Sequence, residues 1–212
     1  LDFRRQRQMC IRDRKYTLLF YFDASTDVHG VSLVIKSFMS DKCSIYRLLL
    51  NKIKLNPPEA GTIPRKELSA GHLAGRVKDV VCNFLRQYLD ECPDWEIEVL
   101  SDSSIVLSQI NSLPWLYKPW VAGKLAEIRE TLPTEGADKI VTFRHVTSEH
   151  NIADVHTRLC FEDPSSIPWL SRDNMEIDER FHTEPKATKI FDCQDLKKEE
   201  LKLENADEDS EY

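Results

Sequence analysis

The sequence lacks the marks of several common protein classes. No uncharged apolar run is long enough to cross a bilayer. Six cysteines (Cys10, Cys43, Cys82, Cys92, Cys160 and Cys193) are scattered, with no C-x-x-C pair and no histidine at zinc-finger spacing. That argues against a structural zinc and for reduced, mostly buried thiols in an intracellular protein. The arginine-rich start has no apolar segment behind it, so it is not a secretory signal. A strong positive charge is missing too. The net charge is −7, and the stretch from 160 onward holds 7 basic and 16 acidic residues, a net of −9. Electrostatics alone therefore does not announce a nucleic-acid binder, and only Lys52, Lys54, Arg65 and Lys66 give local support.

With 212 residues and 41% hydrophobic content, the chain can hold one domain with a real core plus tails. Residues 1–14 show no periodicity and read as a non-native or disordered basic leader, with a nucleic-acid-binding arm as the functional alternative. Residues 15–175 form the domain. Residues 176–212, acidic and poor in aromatics, read as a mostly disordered tail.

Within the domain, KYTLLFYFDA (15–24) reads as a strand buried on both faces. TDVHG turns the chain into a second strand, VHGVSLVIKSF, and CSIYRLLLNKIKL (43–55) gives a third. The period then changes. From Pro64 to about Leu89, Ala70, Leu73, Ala74, Val77, Val81, Phe84, Leu85 and Tyr88 form one helical stripe. Pro64 suits the first helical position, with Ile63 extended before it, and the small Ala70, Gly71, Ala74 and Gly75 allow close approach to a sheet. WEIEVLSDSS is a fourth strand running into a helix at SIVLSQINS. PWVAGKLAEIRETL is a helix after the aromatic loop PWLYKPW, KIVTFRHVTSE is a fifth strand, and NIADVHTRL starts a last helix. The order βββαβααβα implies a five-stranded mixed sheet, three antiparallel strands plus two parallel, flanked by helices.

Four carboxylates stand at the ends of these elements. Asp23 ends strand one and Asp102 ends strand four; if those strands are parallel neighbours, both acids reach the same carboxyl edge, where open sheets keep their sites. Glu67, in the first turn of the long helix, belongs to its sheet-facing stripe, and Asp154 opens the last helix. Each also has a plain structural reason. Asp23 could start a turn, Asp102 could cap a helix with Ser103 and Ser104, Asp154 could complement a helix dipole behind an Asn151 cap, and Glu67 could be solvated. All four reasons would have to hold in one fold that also gathers the four positions. Clustered carboxylates repel unless cations neutralise them, and hard divalent ions with oxygen ligands, magnesium first and manganese next, are the natural partners. Two such ions about 4 Å apart can activate a water and stabilise the leaving oxygen of a phosphodiester.

The same residues carry a resemblance. D-A-S at the end of strand one, E-L in the helix, S-D-S after strand four and N-x-A-D near the end resemble the ribonuclease H pattern. The flanking text resembles the RNase H-like domain of BEL/Pao-type LTR retrotransposon polyproteins. TIPRKELSAGHLAGR is similar to its I-P-R-x-E-L segment, LSDSSIVLSQI to S-D-S-x-x-V-L, KPWVAGKLAEI to K-x-F-V-x-x-R-x-x-x-I, and RHVTSEHNIADVHTR to V-P-x-x-x-N-P-A-D-x-x-S-R, over residues 16 to 175. The resemblance implies an α/β, RNase H-like fold and hydrolysis of the RNA strand of an RNA–DNA hybrid beside a reverse transcriptase domain of the parent polyprotein. It further implies that Asp23 bridges two Mg2+ ions, that Asp154 joins it on the ion activating water, and that Glu67 and Asp102 hold the second. Arg65 and Lys66 are candidate phosphate contacts, and His150 is a candidate aid to water activation or product release. His145, His29 and His72 read as structural. Ile152 stands where the element has Pro and Thr157 where it has Ser, and neither substitution is expected to touch metal chemistry. The alternatives are a catalytically dead copy with binding only, and an aspartic peptidase, for which D-A-S lacks the needed glycine and a second loop is missing.

Overall fold

The computed structural model describes residues 16–40, 43–58, 61–88, 95–134 and 141–158. The leader (1–14), the acidic tail (176–212) and the rest of the chain beyond Arg158 lie outside the described residues.

Strand β1 (Tyr16–Ala24) is buried at every position after Tyr16, as its unbroken apolar run demands. It pairs antiparallel with β2 (Val28–Ser40), which pairs antiparallel with β3 (Cys43–Leu55). On its other side β1 lies parallel to β4 (Trp95–Ser101), and β4 lies parallel to β5 (Val141–His145). The five-stranded order is therefore β3-β2-β1-β4-β5, with three antiparallel and two parallel members as expected.

Helix α1 (Ile63–Tyr88), α2 (Ser104–Asn111) and α3 (Pro119–Thr131) cover one face, where Leu18, Phe20, Phe22, Leu73, Leu107 and Leu125 share the main core. The short α4 (Ile152–Thr157) covers the other face, seating Ile152 and Ala153 against Leu19, Tyr21 and Leu100. Strand β1 thus sends even-numbered side chains into one cluster and odd-numbered ones into the other, the period-two alternation of a central strand.

Helix α1 departs from expectation in three details. It begins at Ile63 rather than Pro64, because the Thr62 carbonyl already accepts from the N–H of Arg65 and of Lys66, so Glu67 falls in the second turn. Phe84 lies outside the buried stripe and Cys82 is buried in its stead. The small residues serve two neighbours, not the sheet alone. A Cβ on Gly71 would be in ordinary contact with Phe22 and Ile128, but one on Gly75 would come within 2.0 Å of Thr131 Oγ1 and 2.8 Å of its Cβ. Gly75 is therefore the point where α1 touches the end of α3, and Lys78 Nζ donates to the Thr131 carbonyl beside it at 2.5 Å.

In an exposed helix Gly→Ala stabilises by about 1 kcal/mol. Here Gly75→Ala drives a methyl into a β-branched side chain, and we expect a net loss of about 1–3 kcal/mol, read as a lowered melting temperature. A variant that melts at or above the wild type would show that the α1–α3 contact is not close-packed.

Candidate active site

The parallel pairing runs from Tyr16 opposite Trp95 to Tyr21 opposite Leu100. Asp23 in β1 and Asp102, the residue after β4, both lie two residues past that last pair, at the same carboxyl edge. Glu67 reaches the edge from α1, and Asp154 from the first turn of α4. Asp23 is only 7% exposed.

Burial pushes the Asp23 carboxyl up to about 6; a hydrogen bond from Thr157 opposes this, and the charges of Asp102 and Asp154 add to it. Burial pushes Glu67 to about 7, opposed by a hydrogen bond from Ser103 and reinforced by Asp102 and Asp23. These mutual repulsions show that the structure brings the quartet within electrostatic reach, with Asp23 and Asp102 at its centre. Among the described residues no three His, Cys, Asp or Glu side chains form a ready-made metal cage. Each carboxylate is instead engaged by a side-chain donor. Thr157 Oγ1 donates to Asp23 Oδ2, and Ser103 Oγ to Glu67 Oε2 at 2.6 Å. Asn151 Nδ2 donates to Asp102 Oδ1 at 2.8 Å and Ser148 Oγ to Asp102 Oδ2 at 2.5 Å, while Arg158 Nε meets Asp154 Oδ1 at 2.7 Å.

The plain structural reasons for the acids mostly fail. The turn after β1 is closed by Ser25, whose N–H donates to the Val28 carbonyl and whose Oγ accepts from the Val28 N–H, while Asp23 stays in the ladder opposite Gly30. The cap of α2 is Ser103, which accepts from the Val106 N–H, not Asp102. Glu67 is partly buried rather than solvated. Only Asp154 keeps its conventional place, in the first turn behind Asn151, whose side chain accepts from the Ala153 N–H.

Of the other candidates, His150 lines a shallow depression with Ser148, Asn151 and Asp154, its Nδ1 2.6 Å from Thr147 Oγ1. Lys66 Nζ donates to the Thr26 carbonyl at 3.0 Å. The Arg65 guanidinium sits 5.6 Å from the centroid of the Trp120 ring. The bland readings of two histidines fit their contacts. His29 Nδ1 lies 2.7 Å from Asn56 Oδ1 at the β2–β3 end, and His145 Nε2 lies 3.1 Å from the Asp102 carbonyl. His72 sits 3.3 Å from Glu127 on the α1–α3 side.

The Ser-to-Thr exchange at 157, not expected to touch metal chemistry, keeps the hydroxyl that donates to Asp23, so the group that meets the acid is preserved. Ser103 and Ser148 were missed as partners. Ser103 carried a signal, being the residue after the strand-ending acid; Ser148 carried none.

A mixed sheet of this order, flanked by helices as described, is an RNase H-like fold. The chain's first 102 residues match the family described as "Pao retrotransposon-like RNaseH-like domain", the family the sequence motifs resemble. The match ends on Asp102, so Asp154 lies beyond it. No curated protein is similar enough to count as a relative. Solved structures similar to the chain include RNase H1 from the halophilic archaeon Halobacterium salinarum (16% identity, covering 68% of this chain and 93% of that one, TM-score 0.40). LC11-RNase H1 in complex with an RNA/DNA hybrid is 20% identical, with 66% and 91% covered and a TM-score of 0.43. An N-terminal RNase H domain from Mycobacterium tuberculosis, solved as a fusion with maltose binding protein, is 12% identical, with 68% and 94% covered and a TM-score of 0.39.

The raised carboxyls set a pH dependence. An acid whose folded pKa lies above its unfolded value contributes stability that is complete below about pH 4 and lost as pH rises through about 6 for Asp23 and about 7 for Glu67. In chelator at pH 8, Asp23→Asn should therefore raise the melting temperature by about 3 °C, on the order of 1 kcal/mol, and change little at pH 4. A lower melting temperature at pH 8 would show that the repulsion is not felt.

Proposed function

We propose that this chain is a retroelement-derived, RNase H-like nuclease that hydrolyses the RNA strand of RNA–DNA hybrids with two Mg2+ ions, Mn2+ being able to replace them. The observation that carries the reading is the meeting of acids from β1, α1, the end of β4 and α4 at one sheet edge, two of them pushed upward in pKa by burial and by their neighbours. Such a donor set, all carboxylate oxygen and net negative, fits hard divalent cations better than zinc or copper. Asp23, Glu67, Asp102 and Asp154 would hold the ions, which when bound supply charge neutralisation, a more acidic water and stabilisation of the leaving 3′ oxygen.

The protein's own groups supply position. Asn151 holds the Asp102 carboxylate and also donates to the Phe22 carbonyl at 3.2 Å, so it fixes the ends of β1 and β4 relative to each other. Thr157 and Ser103 orient one oxygen of Asp23 and of Glu67 while leaving their charge intact. His150, beside Asp154 in the same depression, is placed to accept or release a proton near the attacking water or the departing product. Arg65 and Lys66, one turn or less from Glu67, are the phosphate contacts we assign. We also infer a reverse transcriptase domain as neighbour in the parent polyprotein. No helix among the described residues is long and apolar enough to cross a membrane.

The decisive experiment is metal-dependent cleavage of a labelled hybrid. The wild type should cut the RNA strand in millimolar Mg2+ and leave the same RNA intact when single-stranded. Asp23→Asn or Asp102→Asn should reduce the rate by at least about 1000-fold, the scale of losing transition-state charge stabilisation. A folded wild type that cuts nothing at any Mg2+ or Mn2+ concentration would leave the binding-only copy. Thr157→Ser should keep most activity, and Thr157→Val should lose it about tenfold or more, as expected for an orienting partner of a metal ligand. Equal rates for the two would remove Thr157 from the site.

A further inference from the structure

The loop between α2 and α3 displays aromatic surface that the core does not use. Trp115 is 73% exposed and Trp120 is 42% exposed, with Leu113 and Leu116 exposed beside them. The loop is built to hold this shape. Pro114 and Pro119 open its two helical turns, and Tyr117 packs against the main core and donates its hydroxyl to Ser112 Oγ at 2.9 Å. Ser112 Oγ donates to the Ser108 carbonyl at 2.6 Å, and Arg129 donates to the carbonyls of Ile110 and Ser112. A braced loop holding an indole in water is a common mark of a binding surface, since the fold gains nothing from leaving it there.

Its surroundings select the partner. Arg65, two residues before Glu67 on α1, packs over the Trp120 ring, so the aromatic surface borders the helix turn that carries Glu67. Lys124 stands one helical turn after Trp120 on the same face. Glu127 there is already paired with Lys124 at 2.6 Å and with His72 at 3.3 Å. Flat π faces edged with cations suit nucleobases and phosphates.

A base inside a duplex has both faces covered and an end pair offers only one, so two indoles stacking on bases call for unpaired ones. We propose that Trp115 and Trp120, with Arg65, form a stacking site for single-stranded nucleotides that extend from the end of the hybrid. The substrate of this chain is then a hybrid with an unpaired overhang, preferred to a blunt one. This deepens the hybrid-nuclease reading and rests on it for the substrate class.

Binding is measured in chelator, where nothing is cut, so the two readings fail separately. A fluorescent blunt hybrid is compared with the same hybrid carrying an overhang of about six nucleotides. The wild type should bind the second about tenfold more tightly. Trp115→Ala and Trp120→Ala should each remove most of that advantage without changing blunt-hybrid affinity, and Trp115→Phe should keep it. Asp23→Asn should retain the preference while losing cleavage. Equal wild-type affinity for the two hybrids would overturn the proposal, as would alanine variants that keep the preference. So would a Trp115→Ala variant that alters only self-association, since the loop would then be a protein interface.

Discussion

The parallel pairing of β1 with β4 is the constraint from which the site follows. Because β1 is buried on both faces, it must lie inside the sheet, and β4 is the partner that completes its second edge. Residues at equal distance past the last pair then sit side by side, which is how Asp23 and Asp102 become neighbours although 79 positions separate them. No local propensity favours that meeting. The sheet's hydrogen bonding and the apolar clusters on both sides bury Asp23 and set it beside a like charge, and burial first, with repulsion added, raises the carboxyls of Asp23 and Glu67.

The way the fold tolerates this charge is informative. The donors on Asp23, Glu67 and Asp102 are hydroxyls and an amide, all neutral. Among the described residues, Asp154 meets a cation, the exposed Arg158. A structural cluster would be expected to recruit lysine or arginine, which cancel charge as well as hydrogen-bond. Neutral donors fix direction and preserve the negative potential. That is the arrangement a cation-binding site needs, since any built-in cation would compete with the metal.

Much of this was legible in the chain. The change from period two to period 3.6 and the double-sided burial declared by β1 gave the make-up of the mixed sheet, while the β1–β4 adjacency entered only as a condition for the acids to meet. The reading failed where a position answers to a partner far away in sequence. Gly75 looks like a sheet-facing small residue, yet Thr131 of α3 is what excludes a larger one. Phe84 fits the periodic stripe and is exposed all the same. Thr157 was legible as a neutral exchange at a motif's edge, but not that its hydroxyl finds a carboxylate 134 residues away. The aromatic loop was visible as PWLYKPW, whereas which of its rings would be buried was not. Tyr117 turns inward and the two tryptophans outward.

Helix α4 shows how the acids act as more than repelling charges. At six residues it is far too short to persist alone, and among the described residues Ile152, Ala153 and Val155 anchor it to the second apolar cluster. Other attachments run to the site. Asn151, its cap, donates to Asp102 and to the Phe22 carbonyl, and Thr157, its last residue, donates to Asp23. Hydrogen bonds to ionised acceptors are stronger than those to neutral ones. The charges on Asp23 and Asp102 therefore help to dock the helix that delivers Asp154, even as they oppose its carboxylate. Three acids placed by the sheet and α1 recruit the fourth through neutral intermediaries, and the quartet is complete only when α4 is seated.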